Sequence, residues 1–418
     1  MTVVRLHHGA VRYVNEMRGL NRNCRLGFVA TMLSGMSQGI FGVVFNLYVL
    51  SLGIEADVLG GILSAGPLAQ ALGSIPAGFL AEMTGFRKAF LVIYGVAGLA
   101  KLVQASSASV PVIAAAAFVG GLVFSGDFVV RLPFVAANTN ESQRTRAYSV
   151  SSLLFGLSMS IGALLAGYAP NLMRLFVPDL TIAYRYTLYL AAILTLLATL
   201  PSLRTLDPAR PTERKISLYP YLWGIDRFTL QQAAVSLFVG LSMGVIAPFH
   251  NLYFMYHLGT TREVFGTVAA LTILPTTVAT AFGPMIARRV GNVRAVTLLR
   301  SLIAGSLVAM AWTPYPWLGA LAYWAQRSLS TAAQPLSFAF AMDRANRRAK
   351  PAVSAWLNVT FWLGQAVAAP ITGSFIAKSN YTLPIYLSAV AILAGAVSNH
   401  LFFRPLAARL GRKVQRGD

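Results

Sequence analysis

Gly35-Met36-Ser37-Gln38-Gly39, followed by Asn46-Leu47-Tyr48, is the stretch on which the fold turns, because it occurs twice. Gly240-Leu241-Ser242-Met243-Gly244 is followed by Asn251-Leu252-Tyr253 at the same internal spacing. Both copies lie inside long apolar runs. Further along, Gly85 recurs as Gly291 and Lys88 as Arg294. Pro133, Glu141, Arg146 and Ala147 recur as Pro335, Asp343, Arg348 and Ala349, in order and at a nearly constant offset. Self-similarity over half a chain marks a structural unit present twice. If each unit crosses a membrane an even number of times, both copies enter from the same side, so they are parallel repeats.

Composition says what the unit is made of. The chain has 418 residues, 56% hydrophobic and only 11% charged, with mean hydropathy +0.62. Soluble domains carry about 25% charged residues. This is a polytopic membrane protein. A bilayer crossing takes about 20 apolar residues, and the apolar runs here are continuous, which selects helices over a β-barrel. The pattern predicts an all-α protein of twelve helices, near 26–50, 56–82, 88–108, 111–138, 146–170 and 181–203, then 228–256, 263–287, 294–312, 316–343, 351–377 and 383–404. The domains read as a basic cytoplasmic leader (1–25), a six-helix bundle (26–203), a cytoplasmic central loop (204–227), a second six-helix bundle (228–404) and a basic cytoplasmic tail (405–418). The leader holds five arginines without an apolar core, unlike a cleaved signal peptide. Cys24 is the only cysteine, which excludes an internal disulfide and a cysteine-rich metal site.

The net charge of +21 invites a nucleic-acid partner, and its distribution rejects one. Most of the 34 Lys and Arg residues fall in the leader, the even-to-odd connections, the central loop and the tail. Arg174, Arg185, Arg262 and Lys378 fall on the opposite side. This is the positive-inside asymmetry, and it places both termini in the cytoplasm. Basic residues on that face attract anionic lipid headgroups. The expected setting is the cytoplasmic membrane, with lipids as neighbours and the chain acting as a monomer.

Residues 78–88, Gly-Phe-Leu-Ala-Glu-Met-Thr-Gly-Phe-Arg-Lys, form a charged turn between two apolar runs. The turn resembles the loop between helices 2 and 3 of the major facilitator superfamily, roughly G-x-x-x-D-R-x-G-R-K. Glu82 stands for the aspartate and Met83 for the following arginine. The resemblance implies two halves that rock around a midplane cavity bordered by helices 1, 4, 7 and 10. It also implies a gating role for Gly78, Glu82, Gly85, Arg87 and Lys88. The nearest pattern is that of drug or metabolite:proton antiporters, from which this chain departs. Ala114 to Ala117 stand where an arginine is often found in helix 4, and Ala163 where a helix-5 proline is expected.

The repeat also sorts candidate residues. Features present in both halves suit packing, whereas features present in one half suit cargo and coupling chemistry. Asn46 and Asn251 are matched, which favours hydrogen bonds between helices 1 and 7, with contact to the cargo left open. Asp127 and Arg131 lie four apart on one face of helix 4, opposite Leu329 and Ala333 in the second half. They are expected to serve proton coupling, with His250 as the alternative titrating group, or else to form a self-satisfied brace. Arg327 and Gln326 lie deep in helix 10, opposite Ser125 and Phe124. Arginine grips carboxylates in a planar fork, so Arg327 and Gln326 are expected to touch substrate, along with Asn46, Asn251, Tyr48, Tyr253 and Trp324. A pair between Arg327 and Asp127 across the halves is the competing use. No H-E-x-x-H or G-x-x-x-x-G-K-[ST] stretch occurs, and G-x-S-x-G occurs only as the duplicated stretch inside the two apolar runs, not at a strand-to-helix turn. No enzyme activity, metal or cofactor is therefore expected. The expected function is secondary transport of a small molecule, read first as proton-coupled export of amphipathic molecules. The alternatives are a carrier for an anionic metabolite and a non-transporting scaffold or receptor.

Overall fold

The computed structural model describes residues 21–76, 83–207, 225–346 and 349–416. The first half contains α1 (Arg22–Ser51), α2 (Ala56–Gly73), α3 (Phe86–Ser106), α4 (Val110–Ala137), α5 (Glu141–Met173) and α6 (Leu180–Leu203). The second contains α7 (Arg227–His257), α8 (Arg262–Val290), α9 (Asn292–Trp312), α10 (Pro316–Arg344), α11 (Lys350–Ala377) and α12 (Thr382–Arg416). Ten of these are long and apolar enough to cross a membrane by composition alone. The exceptions, α2 and α10, carry more small and polar residues.

Helix ends follow local chemistry. α1 starts before the predicted 26 because the Asn21 side chain accepts the Asn23 N–H at 3.3 Å. Asn23 and Cys24 thus belong to the bundle. Asn23 donates to Asn138 Oδ1 (2.9 Å) and to the Leu206 carbonyl (2.8 Å), and it accepts from the Leu206 N–H (3.1 Å). Asp179 caps α6 through the Thr181 and Ile182 N–H groups, and Asp226 caps α7 through that of Thr229. Gly85 (φ 86°) opens α3 and Gly291 (φ 82°) opens α9. Both turns need a left-handed backbone that side chains resist. α12 continues past the predicted 404 to Arg416, so residues 405–416 of the basic tail are helical. Gly78 and Glu82 of the expected gate lie outside the described residues. Arg87 is tied through its backbone N–H to Asp207 at 3.0 Å.

The chain ends define a terminal face; the opposite one is the distal face. Within each half, glycines let helix backbones touch, Gly39 and Gly162 between α1 and α5, and Gly240 and Gly364 between α7 and α11. Between halves, α2 meets α11 at Gly60 and Gly373, where a Cβ on Gly60 would come within 2.7 Å of the Ala369 carbonyl. α5 meets α8 at Gly167 and Gly266, where a Cβ on Gly266 would lie 2.8 Å from the Gly167 Cα. Both contacts are distal. There the largest buried cluster joins residues of both halves, including Ile40, Tyr48, Leu59, Ile246, Phe254 and Tyr323. Towards the terminal face the cores separate. One cluster around Phe28, Phe90 and Phe134 belongs to the first half, and one around Phe340 and Phe403 belongs to the second. The halves converge distally and part terminally.

Exposed Leu, Val, Ile and Phe side chains cover the outside of the bundle. Trp312, Tyr315 and Trp317 mark its distal rim. Such an apolar band edged by aromatics suits lipid.

Candidate substrate cavity

α4 is slim where it passes the middle of the first half. Ala117, Gly120 and Gly121 present almost no side chain, and a Cβ on Gly121 would already lie 2.8 Å from the Gly66 Cα of α2. A Cβ on Gly120 would lie 3.2 Å from the Ala100 Cβ and 3.9 Å from Gln104 Nε2 of α3. Long α3 side chains therefore reach past α4 into the interior. The result is a cavity of about 290 Å³ at mid-depth, between α1, α2, α3, α4 and the break in α7. Its wall combines Phe41, Phe45 and Phe124 with the amides of Gln38, Asn46, Gln70 and Gln104. Lys101 is the one ionisable residue among the described lining.

Lys101 is 8% exposed. Its Nζ donates to Ser37 Oγ (2.7 Å), Gln38 Oε1 (3.0 Å) and Thr195 Oγ1 (3.2 Å), and it lies 5.5 Å from the centre of the Phe41 ring. All three acceptors are neutral. Among the described residues no carboxylate stands within ion-pair distance of it. Ser37 and Thr195 are themselves paired at 2.7 Å. The second half repeats that device in Ser242 and Ser388, 2.9 Å apart, but has the fully buried Leu307 where α3 has Lys101. The sequence reading missed Lys101, since near a helix end it looks like a lysine that snorkels to the interface. Its mismatch with Leu307 was the signal available.

The roof is on the distal side. Asn46 Nδ2 donates to the Pro248 carbonyl and to Asn251 Oδ1 (3.3 Å), and Asn251 Nδ2 returns a bond to the Val43 carbonyl (3.0 Å). α1 and α7 are thus cross-linked, with Asn46 also lining the cavity.

The remaining expected residues take other places. Asp127 is buried inside the first half, accepting from Tyr94 OH at 2.7 Å and paired with Arg131 at 3.3 Å. Arg131 also stacks on Phe155. Neither charge is among the described lining. Tyr48 and Tyr253, expected at an aromatic wall, are fully buried and occupy matched positions. Tyr48 OH donates to the Ala105 carbonyl (2.6 Å), and Tyr253 OH to that of Met310. They brace α1 to α3 and α7 to α9. Trp324 Nε1 donates to the Val268 carbonyl at 2.8 Å, tying α10 to α8. Gln326 donates to Met243 Sδ at 3.8 Å. His250 Nδ1 lies 3.3 Å from the Ala247 carbonyl, and its ring meets Tyr323 edge-on. Arg327 is half-buried. Residues of α10 are absent from the described lining, and α2 and α3 take that place.

Two bundles of six helices, joined distally around a mid-depth cavity, are the geometry of a known family, and comparison supports this directly. The Major Facilitator Superfamily matches residues 27–223 and 233–417. The chain belongs to the major facilitator superfamily. Among solved superfamily structures, that of a mutant of the nucleoside transporter NupG aligns with TM-score 0.66 at 14% identity, over 92% of this chain and 99% of that one. A bacterial homologue of the human lysosomal transporter Spinster aligns with TM-score 0.68 at 14% identity in an inward-facing, unoccupied state, covering 92% of this chain and 95% of that one. Its inward-facing, occupied state aligns with TM-score 0.69 at 15% identity, over 92% and 96%. At these identities the likeness concerns the fold. No match was found among curated proteins. The superfamily places the chain among transporters of small molecules, as a multi-pass membrane protein.

Proposed function

We propose that this transporter holds a small amphipathic organic solute in the α1–α4 cavity and exports it across the cytoplasmic membrane in exchange for protons. One observation carries the reading. A mid-depth cavity lined by aromatic rings and amides is roofed distally by hydrogen bonds between the halves, while the cores separate towards the terminal face. Mixed apolar and polar walls are what solute sites present. The basic asymmetry makes the terminal face cytoplasmic, so cargo enters from inside. Asp127 is the carboxylate nearest mid-depth among the described residues, and we assign it the coupled proton, with His250 as the alternative group. The test is thermal stabilisation of purified protein across a solute library, repeated on Gly42→Phe. A Cβ at Gly42 meets nothing within 4 Å, so the ring fills the cavity. Stabilising solutes lose their effect in this variant if the cavity is the site. Stabilisation unchanged in Gly42→Phe would move the site elsewhere.

A further inference from the structure

We propose that the cargo is an organic monoanion whose carboxylate pairs with Lys101 while its apolar body lies against Phe41 and Phe45. This rests on the cavity being the transport site. Lys101 is the sole ionisable group among the described lining residues, and no carboxylate among the described residues stands within ion-pair distance of its Nζ. Ser37, Gln38 and Thr195 satisfy its hydrogen bonds without neutralising it. A buried charge is normally paired, and a bound anion supplies the missing partner.

The neighbourhood is also built for donation. Gln38 spends its amide oxygen on Lys101, which leaves its nitrogen to donate into the cavity. Gln104 gives one N–H to the Ala100 carbonyl at 3.3 Å and keeps a second. Phe41 and Phe45 stack at 4.6 Å between centroids and 17° between planes, a continuous flat face beside the ammonium. A carboxylate replaces Thr195 Oγ1, the longest of the three lysine contacts, and accepts from the amides. The ring or chain behind it covers the two phenylalanines. A volume near 290 Å³ admits one or two fused rings. A single ammonium balances a single negative charge, which is why the cargo is a monoanion. Packing does not require lysine here, because Leu307 fills the matched position of the second half.

The test is equilibrium binding to the full-length protein in nanodiscs, using three probes of one shape: naphthoate, naphthamide and naphthylmethylammonium. Naphthoate is expected to bind at least about tenfold more tightly than naphthamide, the worth of one charged hydrogen bond, with the ammonium weakest. Lys101→Met is expected to erase that preference and leave naphthamide within about threefold of its original affinity, a change well under one such bond. Lys101→Arg should retain the preference. Leu307 is the apolar side chain at the matched position of the second half, and the wild-type ranking alone decides the matter should the variant fail to fold. A carboxylate bound no more tightly than its amide, or a preference that survives Lys101→Met, overturns the anion inference. If amide or ammonium binding is then lost in Gly42→Phe, the cavity reading stands without it. Binding of all probes that ignores Gly42→Phe, or no binding by any of them, overturns both.

Discussion

Asp127 is held on both oxygens, by the Tyr94 hydroxyl and by the Arg131 guanidinium. The second half does without this arrangement. Its matched positions are Leu329 and Ala333, and Arg300 stands where α3 has Tyr94, donating to Ser337 at 3.1 Å. Removing one member of a buried pair strands the other. Asp127→Asn should therefore cost about 3 kcal/mol of stability, read as a lowered thermal midpoint. Asp127→Leu combined with Arg131→Ala copies the second half and should recover most of that loss. If Asp127 carries the coupled proton, flux driven by a pH gradient in liposomes disappears in the stable double variant as well. Normal pH-driven flux there would leave the pair as a brace only.

α1 and α7 end in the same Asn-Leu-Tyr, yet α1 is a continuous helix and α7 is not. Ala247–Phe249 tighten into a 3₁₀ turn and Tyr253–His257 widen into a π turn. The cause is Pro248, matched by Val43 in α1. Proline has no N–H to donate, and its ring crowds the carbonyl one turn back. The broken turn points the Pro248 carbonyl at Asn46, which makes half of the distal cross-link. Pro248→Val should straighten α7 and raise thermal stability, since an interior proline costs about 3 kcal/mol. Cargo affinity should persist while exchange slows, because the flexible point at the roof is gone. Liposome exchange rates set against equilibrium binding check this. Unchanged turnover would show that the break is not a hinge.

At the scale of the molecule, every hydrogen bond between the halves among the described residues lies at the distal roof or beyond it. Arg262 of α8 reaches Tyr184 of α6 (2.9 Å) and Asn171 of α5 (2.8 Å). Asn171 in turn donates to Glu263, and Tyr168 pairs with Thr267 at 3.2 Å. This cluster, with the Gly60–Gly373 contact, holds the distal face shut. Hydrogen bonds to charged groups contribute about 1.5–3 kcal/mol each. Arg262→Ala should thus raise the distal-open population by about tenfold or more. Gly60→Val should act more strongly, because its side chain occupies the space of the Ala369 carbonyl. Spin-label distances across the distal ends of α5 and α8 report the change, with little background since Cys24, the only cysteine, is buried. Distances unmoved in both variants would mean that closure is set elsewhere.

Apolar length, the duplicated Gly-x-Ser-x-Gly stretch and the paired turn glycines Gly85 and Gly291 were enough, from sequence alone, for twelve helices in two parallel halves. Those features act through hydrogen bonds and turns within a few residues, so local sequence determines them. The matched Asn46 and Asn251 favoured hydrogen bonds between α1 and α7 with cargo contact left open, and the structure forms those bonds while Asn46 also lines the cavity. Which side chains face the interior depends instead on how closely distant helices approach and how each is rotated. Tyr48 and Tyr253 read as an aromatic wall, yet their hydroxyls reach carbonyls of α3 and α9. Lys101 was not singled out from the sequence, because only the bare Gly120–Gly121 face of α4 lets α3 come through to the cavity. That approach is a property of three packed helices, and no one of their sequences contains it.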